Sequence, residues 1–299
     1  MAIINLGVDG GNNLGKVAGP HGATMFNSLM GEYKPNNLRE GKLFDDDMVW
    51  EYLNNGTRGI AGEFVKYETK KGLSGTKKSM SKNHPQAGMR VLLGIVWYIE
   101  QFNITQREFN IGTLNTIGAI KLNGNQDKVE MQERLLGEHS LIVNDTRYDF
   151  RIHNVGVFPE TAVAGLSDPV DDIHHVIELG SGQTGMATLL KSKYIAERSD
   201  TLSFGLQNGV TDNYGEIARR LTERAEELDW EQDELTRLCG GGAKVSALVK
   251  EIRDAFGSHL PILRPKLRLL DGRVIEEDPI YANSIAVQRL MEKKFGVVA

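Results

Sequence analysis

Apolar and polar residues alternate from the start of the chain. Ile3, Ile4, Leu6 and Val8 lead into Asp9, Gly10 and Gly11, and the pattern resumes at Lys16 to Gly19 and Ala23 to Phe26. This spacing predicts a strand and a hairpin turned by Gly and Asn. From about Leu29 to Asn83 the pattern breaks into short helical patches separated by glycines, ending in the lysine-rich stretch KKGLSGTKKSMSK, and it reads as an insertion. Within it, Asp45, Asp46 and Asp47 ahead of Met48, Val49 and Trp50 read as a helix start, where carboxylates complement the dipole. After Pro85, Met89, Leu92, Val96 and Ile99 recur at helical spacing, and Glu108 to Leu114 reads as a strand.

Lys128 to Leu136 is predicted helical, followed by alternating runs at His139 to Val143 and Tyr148 to Val157 across the turn Asn144, Asp145. Val176 to Leu179 is a short apolar strand broken by Gly180, Ser181 and Gly182, with a further strand at Met186 to Leu190, which repeats the design of the N-terminus. Tyr214, Ile217, Leu221 and Leu228 share one helix face. Val245, Leu248, Val249 and Ile252 share another, just after Gly240, Gly241 and Gly242, and a last helix runs from about Tyr281 to Phe295. Two strand-and-glycine hairpins about 170 residues apart imply two related α/β halves facing each other across a cleft.

Composition narrows the class. The 299 residues suit two domains or one domain with insertions, and 40% hydrophobic and 25% charged residues suit a globular chain. Thirty-five Lys and Arg against 40 Asp and Glu give a formal charge of −5, which argues against a nucleic-acid footprint over the whole surface. Cys239 is the single cysteine, so an intrachain disulfide and a multi-cysteine zinc site are excluded. The longest apolar stretch, Val91 to Ile99, is far short of the roughly 20 residues a membrane span needs, and MAIINLGVDGG lacks the features of a secretory signal. A cytoplasmic protein is expected.

Four constellations can carry chemistry. Asp9, Gly10, Gly11, Asn12, Asn13, Gly15 and Lys16 combine a turn free of bulky side chains, whose amides can face phosphate oxygens, with a mobile cation and a carboxylate able to hold hydrated Mg2+. An ordinary flexible hairpin is the alternative, and neither a Walker A loop nor a GxGxxG fingerprint is present. Glu178, Leu179, Gly180, Ser181, Gly182, Gln183 and Thr184 can form a second phosphate-facing hairpin or a tight β-turn. Gly240, Gly241, Gly242 and Ala243 before a helix can admit a nucleoside close to the backbone, or can be a flexible connection. Glu160, after Phe158 and Pro159 at a strand end, can orient an attacking water, or can cap a surface loop.

The order of VDGGNNLGK, VFPE, ELGSGQT, CGGGA and DPIYAN resembles the actin-like ATPase superfamily, and the combination is similar to its ParM/StbA plasmid-segregation branch. The stretch LLGEHSLIVNDTRYDFRIHNVGVFPE is similar in layout to Gram-positive and phage ParM-like chains, and Asp278, Pro279, Ala282 and Asn283 resemble the closing motif before the C-terminal helix. The resemblance implies an actin-like, ribonuclease H-like α/β fold of two related lobes around a nucleotide cleft. It places the first lobe at 1–160, with an insertion at about 29–84 and completion by about 282–299, and the second at 161–281 with its outer subdomain reduced or missing. It implies an ATPase, with GTP as the other candidate nucleotide, in which Lys16 neutralises developing charge and Glu160 positions water. It implies Mg2+ held by Asp9 and Glu178 through water. It further implies self-assembly into filaments and a DNA-bound adaptor of the ParR type that links them to plasmid DNA, with no membrane partner. Two departures stand out: Glu178 replaces the usual Asp, and Gln183 stands where a small hydroxyl residue is common.

A sugar-type kinase on the same fold, a chaperone ATPase and a structural filament with little hydrolysis are the competing readings. Among the remaining candidates, Lys70, Lys71, Lys77, Lys78 and Lys82 form a basic loop, read first as solvated, with DNA, an acidic partner or the next subunit as the alternatives. His174 and His175 beside Asp171 and Asp172 suggest a metal only weakly, because neighbouring strand residues point to opposite faces.

Overall fold

The computed structural model describes residues 3–32, 43–68, 82–207, 213–257 and 260–296. β1 (Ile4–Asp9), β2 (Leu14–Gly19) and β3 (Gly22–Asn27) form the predicted antiparallel hairpins. The next segment holds strands where helical patches were expected: β4 (Met30–Gly31), β5 (Met48–Tyr52) and β6 (Thr57–Ala61), then the single turn α1 (Val65–Glu68). The three aspartates do not start a helix. Asp47 accepts the amides of Phe44 at 2.8 Å and Phe64 at 3.1 Å, tying a turn to the far side of the segment, while Met48 and Trp50 enter the core from β5.

α2 (Pro85–Gln101) carries Pro85 in its first turn, and the His84 ring accepts the Ala87 amide. Its apolar stripe packs on β1 and β2. β7 (Glu108–Asn115) runs parallel to β1. α3 (Ile117–Leu135) begins well before Lys128, because the Thr116 hydroxyl accepts the Ala119 amide at 3.1 Å and starts the helix there. β8 (Gly137–Val143) and β9 (Thr146–Pro159) turn at Asn144 and Asp145, whose φ values of 46° and 64° belong to a tight hairpin. These strands make a nine-stranded sheet in the order β3-β2-β1-β7-β9-β8-β5-β6-β4.

The second sheet repeats the first in miniature. β10 (Ile173–Leu179), β11 (Thr184–Leu190) and β12 (Lys193–Leu202) are antiparallel neighbours, and after α4 (Tyr214–Glu227), β13 (Leu235–Cys239) pairs parallel to β10. The order β12-β11-β10-β13 therefore matches β3-β2-β1-β7 in direction and connection. A 3-10 turn at Gly241–Lys244 separates β13 from α5 (Ser246–Phe256), so the glycines open that turn and not the helix itself. β14 (Lys266–Arg268) and β15 (Val274–Glu276) form a small hairpin, and α6 (Ala282–Phe295) ends the described chain. The halves differ in one respect: residues 28–84 lie between β3 and α2, but only residues 203–213 lie between β12 and α4.

Alternation along β1 sends Val8 toward α2 and Gly7 toward α6. Gly7 pairs with Gly112 of β7, which pairs with Gly156 of β9, giving a glycine row across three strands. Helix α6 lies on this row. A Cβ on Gly7 would fall 1.9 Å from the Ser284 carbonyl oxygen, and one on Gly112 would fall 2.2 Å from Val287. Gly7→Ala and Gly112→Val are expected to destabilise the fold by about 2 kcal/mol or more, as overpacking against backbone does. Gly215→Ala, whose Cβ would sit at ordinary contact distance near the start of α4, serves as the neutral control in urea unfolding.

Candidate functional site

The two equivalent hairpins face one another. β1 delivers Asp9 to its own end and turns through Gly10–Asn13, while β10 delivers Glu178 one residue before its end and turns through Gly180–Gln183, closed by the Gly180 amide on the Gln183 carbonyl at 3.0 Å. Between them lies a cavity of about 210 Å³ lined by Gly11, Asn12, Asn13, Lys16, Lys82, Glu160, Glu178, Ser181 and Gly241, among others. One water needs roughly 10–15 Å³, so the space suits a polyatomic ligand.

At the floor, Asp9, Glu160 and Glu178 come together, with one carboxylate oxygen from each lying within 4.8 Å of the others. Each arrives on a different strand end. The Glu160 amide donates to the Asn115 carbonyl at 2.8 Å, and the Lys82 amide donates to the Asn115 side-chain oxygen at 2.9 Å, so one residue at the end of β7 anchors both. Thr161 holds a left-handed φ of 67°, which is strained for a β-branched residue. Its hydroxyl donates to Glu178 Oε2 at 2.7 Å and its amide to Asn283 Oδ1 at 3.2 Å, while Asn283 Nδ2 donates to Glu178 Oε1 at 2.7 Å. The strain is held in place by bonds to the carboxylate.

Two ammonium groups balance the carboxylates. Lys16 Nζ lies 3.2 Å from Asp9 Oδ2, and Lys82 Nζ lies 3.2 Å from Asp9 Oδ1 and 2.5 Å from Glu160 Oε1. Burial alone would raise the Asp9 pKa, but the charges of Lys16 and Lys82 outweigh it and bring it down to about 2. Lys82 is pushed upward: burial favours its neutral form, and Asp9 and Glu160 overcome that. Among the described residues no cation forms an ion pair with Glu178; burial, then the charges of Glu160 and Asp9, push it up to about 7 against the bonds from Thr161 and Asn283. Behind the first turn, Arg90 is 1% exposed and donates to Asn12 Oδ1 at 2.8 Å and the Ser28 carbonyl at 3.0 Å, a buried cation beneath a glycine turn. Burial lowers its pKa to about 10, so it stays charged at neutral pH.

The structure gathers Gly11, Asn12, Asn13, Lys16, Glu160, Glu178, Gly180, Ser181, Gly182, Gln183 and Gly241 around the cavity, with Asp9 at its floor. Gly10, Gly240, Gly242 and Ala243 are not on its lining. Gly10 faces α2, and Gly242 packs on Leu179. Lys82, read as part of a surface loop, is instead a floor residue; Lys70, Lys71, Lys77 and Lys78 lie outside the described residues. Sequence reasoning also missed Thr161, Thr201 and Gln207 on the lining. Gln207 belongs to a strap in which the amides of Leu206 and Gln207 donate to the carbonyls of Gly180 and Ser181, and its side chain meets Asn13 across the cleft. His175 is engaged elsewhere, bonded to Thr188 and Glu234 and stacked on Trp230 at 4.1 Å.

No protein-family model and no curated protein matches the sequence. Solved structures do match. The AlfA filament of the B. subtilis plasmid pLS32 superposes with a TM-score of 0.71 at 18% identity, over 95% of this chain and 97% of that one. An AlfA filament bound to AMPPNP gives 0.71 at 18%, over 99% and 100%. The apo psk41 ParM protein gives 0.70 at 12%, over 98% of each chain, and an archaeal actin homolog in complex with ADP gives 0.70 at 15%, over 98% and 100%. The chain has the actin-like fold.

The Glu178 shift has a measurable consequence. Its folded pKa of about 7 lies above the ordinary glutamate value of 4.5, so the folded protein holds this proton more tightly than the unfolded chain. Its contribution to stability is greatest below pH 4.5 and is lost as pH rises through 7. In urea unfolding of the nucleotide-free protein, the stability of wild type relative to Glu178→Gln is expected to fall between pH 4.5 and 7; a difference independent of pH would refute the shift.

Proposed function

We propose that this chain is an actin-like nucleoside triphosphatase that assembles into filaments when a nucleoside triphosphate with Mg2+ fills the cleft. Hydrolysis then loosens them. The observation that carries this reading is the cavity floor: three carboxylates and two ammonium groups between two glycine turns of matching design. The neighbours named as filaments and as bound to AMPPNP or ADP support it. In this reading residues 1–160 with 282–299 form one lobe and 161–281 the other, and the short 203–213 link stands where an outer subdomain would be inserted.

The donor set is all carboxylate oxygen, which suits a hard divalent cation. Asp9 and Glu178 would hold Mg2+ through water, and the bound ion supplies neutralisation of phosphate charge. Amides of the turns at Gly11–Asn13 and Ser181–Gln183 hold phosphate oxygens. Lys16, free to swing from Asp9, follows the charge that develops on the leaving phosphate. Glu160, fixed through its amide to Asn115, orients the attacking water and takes its proton. Gly241 lets the nucleoside approach the backbone of the second lobe. ATP is the leading nucleotide, with GTP the alternative.

A DNA-bound adaptor of the ParR type would couple filament growth to plasmid movement in the cytoplasm, a role that rests on the resemblance to plasmid-segregation proteins. Among the described residues no helix is long and apolar enough to cross a membrane. Light scattering and negative-stain microscopy with Mg-ATP or Mg-GTP are expected to show filaments that form and then shorten. Asp9→Asn is expected to abolish assembly. Glu160→Gln is expected to assemble but release phosphate about 100-fold more slowly, within the usual range for a lost general base. Absence of both nucleotide binding and filaments in the wild-type protein would overturn the reading.

A further inference from the structure

We propose that Lys82 is a tethered cation that takes the place of the divalent ion in the nucleotide-free cleft, so that metal enters only together with a triphosphate able to receive the displaced ammonium group. The inference rests on the nucleotide reading of this site and adds a residue to it. The two lysines are not equivalent. Among the described carboxylates Lys16 pairs with Asp9, through Oδ2, on the side of the first turn. Lys82 bridges two carboxylates, through Asp9 Oδ1 and Glu160 Oε1, inside the group that Glu178 completes. Its side chain is 16% exposed, so the ammonium is largely withdrawn from water.

An ion drawn to the same oxygens meets a positive charge already seated there. At an effective dielectric near 20, like charges a few ångströms apart repel strongly enough to lower ion affinity by an order of magnitude or more. Movement of Lys82 needs no refolding. Its amide is fixed to Asn115 and its chain continues through the cap at His84 into α2, so the four-carbon stem can swing while the backbone stays. A triphosphate in the cavity offers the ammonium new anionic partners within the same lining, while metal alone offers none. The cleft thereby discriminates metal–nucleotide from free metal.

The test uses Mn2+ as the probe, with the full-length nucleotide-free protein, reading free Mn2+ by electron paramagnetic resonance. Wild type is expected to bind weakly, Lys82→Met at least tenfold more tightly, and Lys82→Arg, which keeps the charge, as weakly as wild type. Should Lys82→Met fail to fold by circular dichroism, Lys82→Gln, neutral and still a donor to Glu160, replaces it. Equal or weaker Mn2+ binding by the neutral variant overturns the proposal. ATP binding with unchanged Mn2+ affinity would refute only the role of Lys82, whereas tighter Mn2+ binding in a protein that never binds nucleotide would refute the nucleotide reading and leave Lys82 as the resident cation.

Discussion

Three carboxylates with oxygens within 4.8 Å cannot all carry charge in a half-closed cleft unless cations stand between them. At an effective dielectric of 20, each pair at that separation repels by about 3 kcal/mol. That constraint orders the site. Lys16 and Lys82 supply the compensating charge, and they share it unequally, which is why Asp9 is held low while Glu178 is held high. A carboxylate left short of cations inside a cleft is a place where an added positive charge is most strongly stabilised, and its acid strength is set by what occupies the cavity.

The constraint reaches the fold through α6. This helix lies on the first sheet along the glycine row of Gly7, Gly112 and Gly156, yet Asn283 in its first turn bonds Glu178 of the second sheet. Thr161, at the point where the chain leaves β9 for the second sheet, bonds both Asn283 and Glu178. A change in the angle between the sheets therefore strains three hydrogen bonds around one carboxylate, and a change of charge at that carboxylate acts on the bonds that join the two sheets. Close helix–sheet contact makes the coupling stiff: with backbone against backbone at Gly7, α6 has no soft side-chain layer to absorb the motion.

Strand alternation and glycine placement made the paired hairpins legible, since a period of two followed by a turn without side chains has few other readings. Asp9, Lys16 and Glu178 were found for that reason and Glu160 from its place after Phe158 and Pro159 at a strand end, and the four meet in one cavity. Lys82 was not, because a lysine in a lysine-rich run looks solvated, and the Asn115 contact that turns it inward is long-range. β5 was misread because aspartates before an apolar run fit a helix start locally, while sheet pairing with β6 and β8 decides otherwise. β12 was missed because a register irregularity opposite Met186 to Thr188 breaks the alternation that would reveal it.

The unequal insertions give the cleft its asymmetry. On the first side, β4, β5 and β6 extend the sheet edge, and Leu29, Ile60, Phe64 and Val65, from these strands and the residues flanking them, form a satellite core. On the second side, the strap at Phe204 to Gln207 is tied down by its backbone and two apolar side chains: the Thr184 hydroxyl donates to the Phe204 carbonyl, two strap amides bond the second turn, and Phe204 and Leu206 pack into the second core. Among the described residues the rim is then bridged by the side chains of Asn13 and Gln207. A wall made of a subdomain moves as a body, but a strap bonded to the second turn moves with that turn.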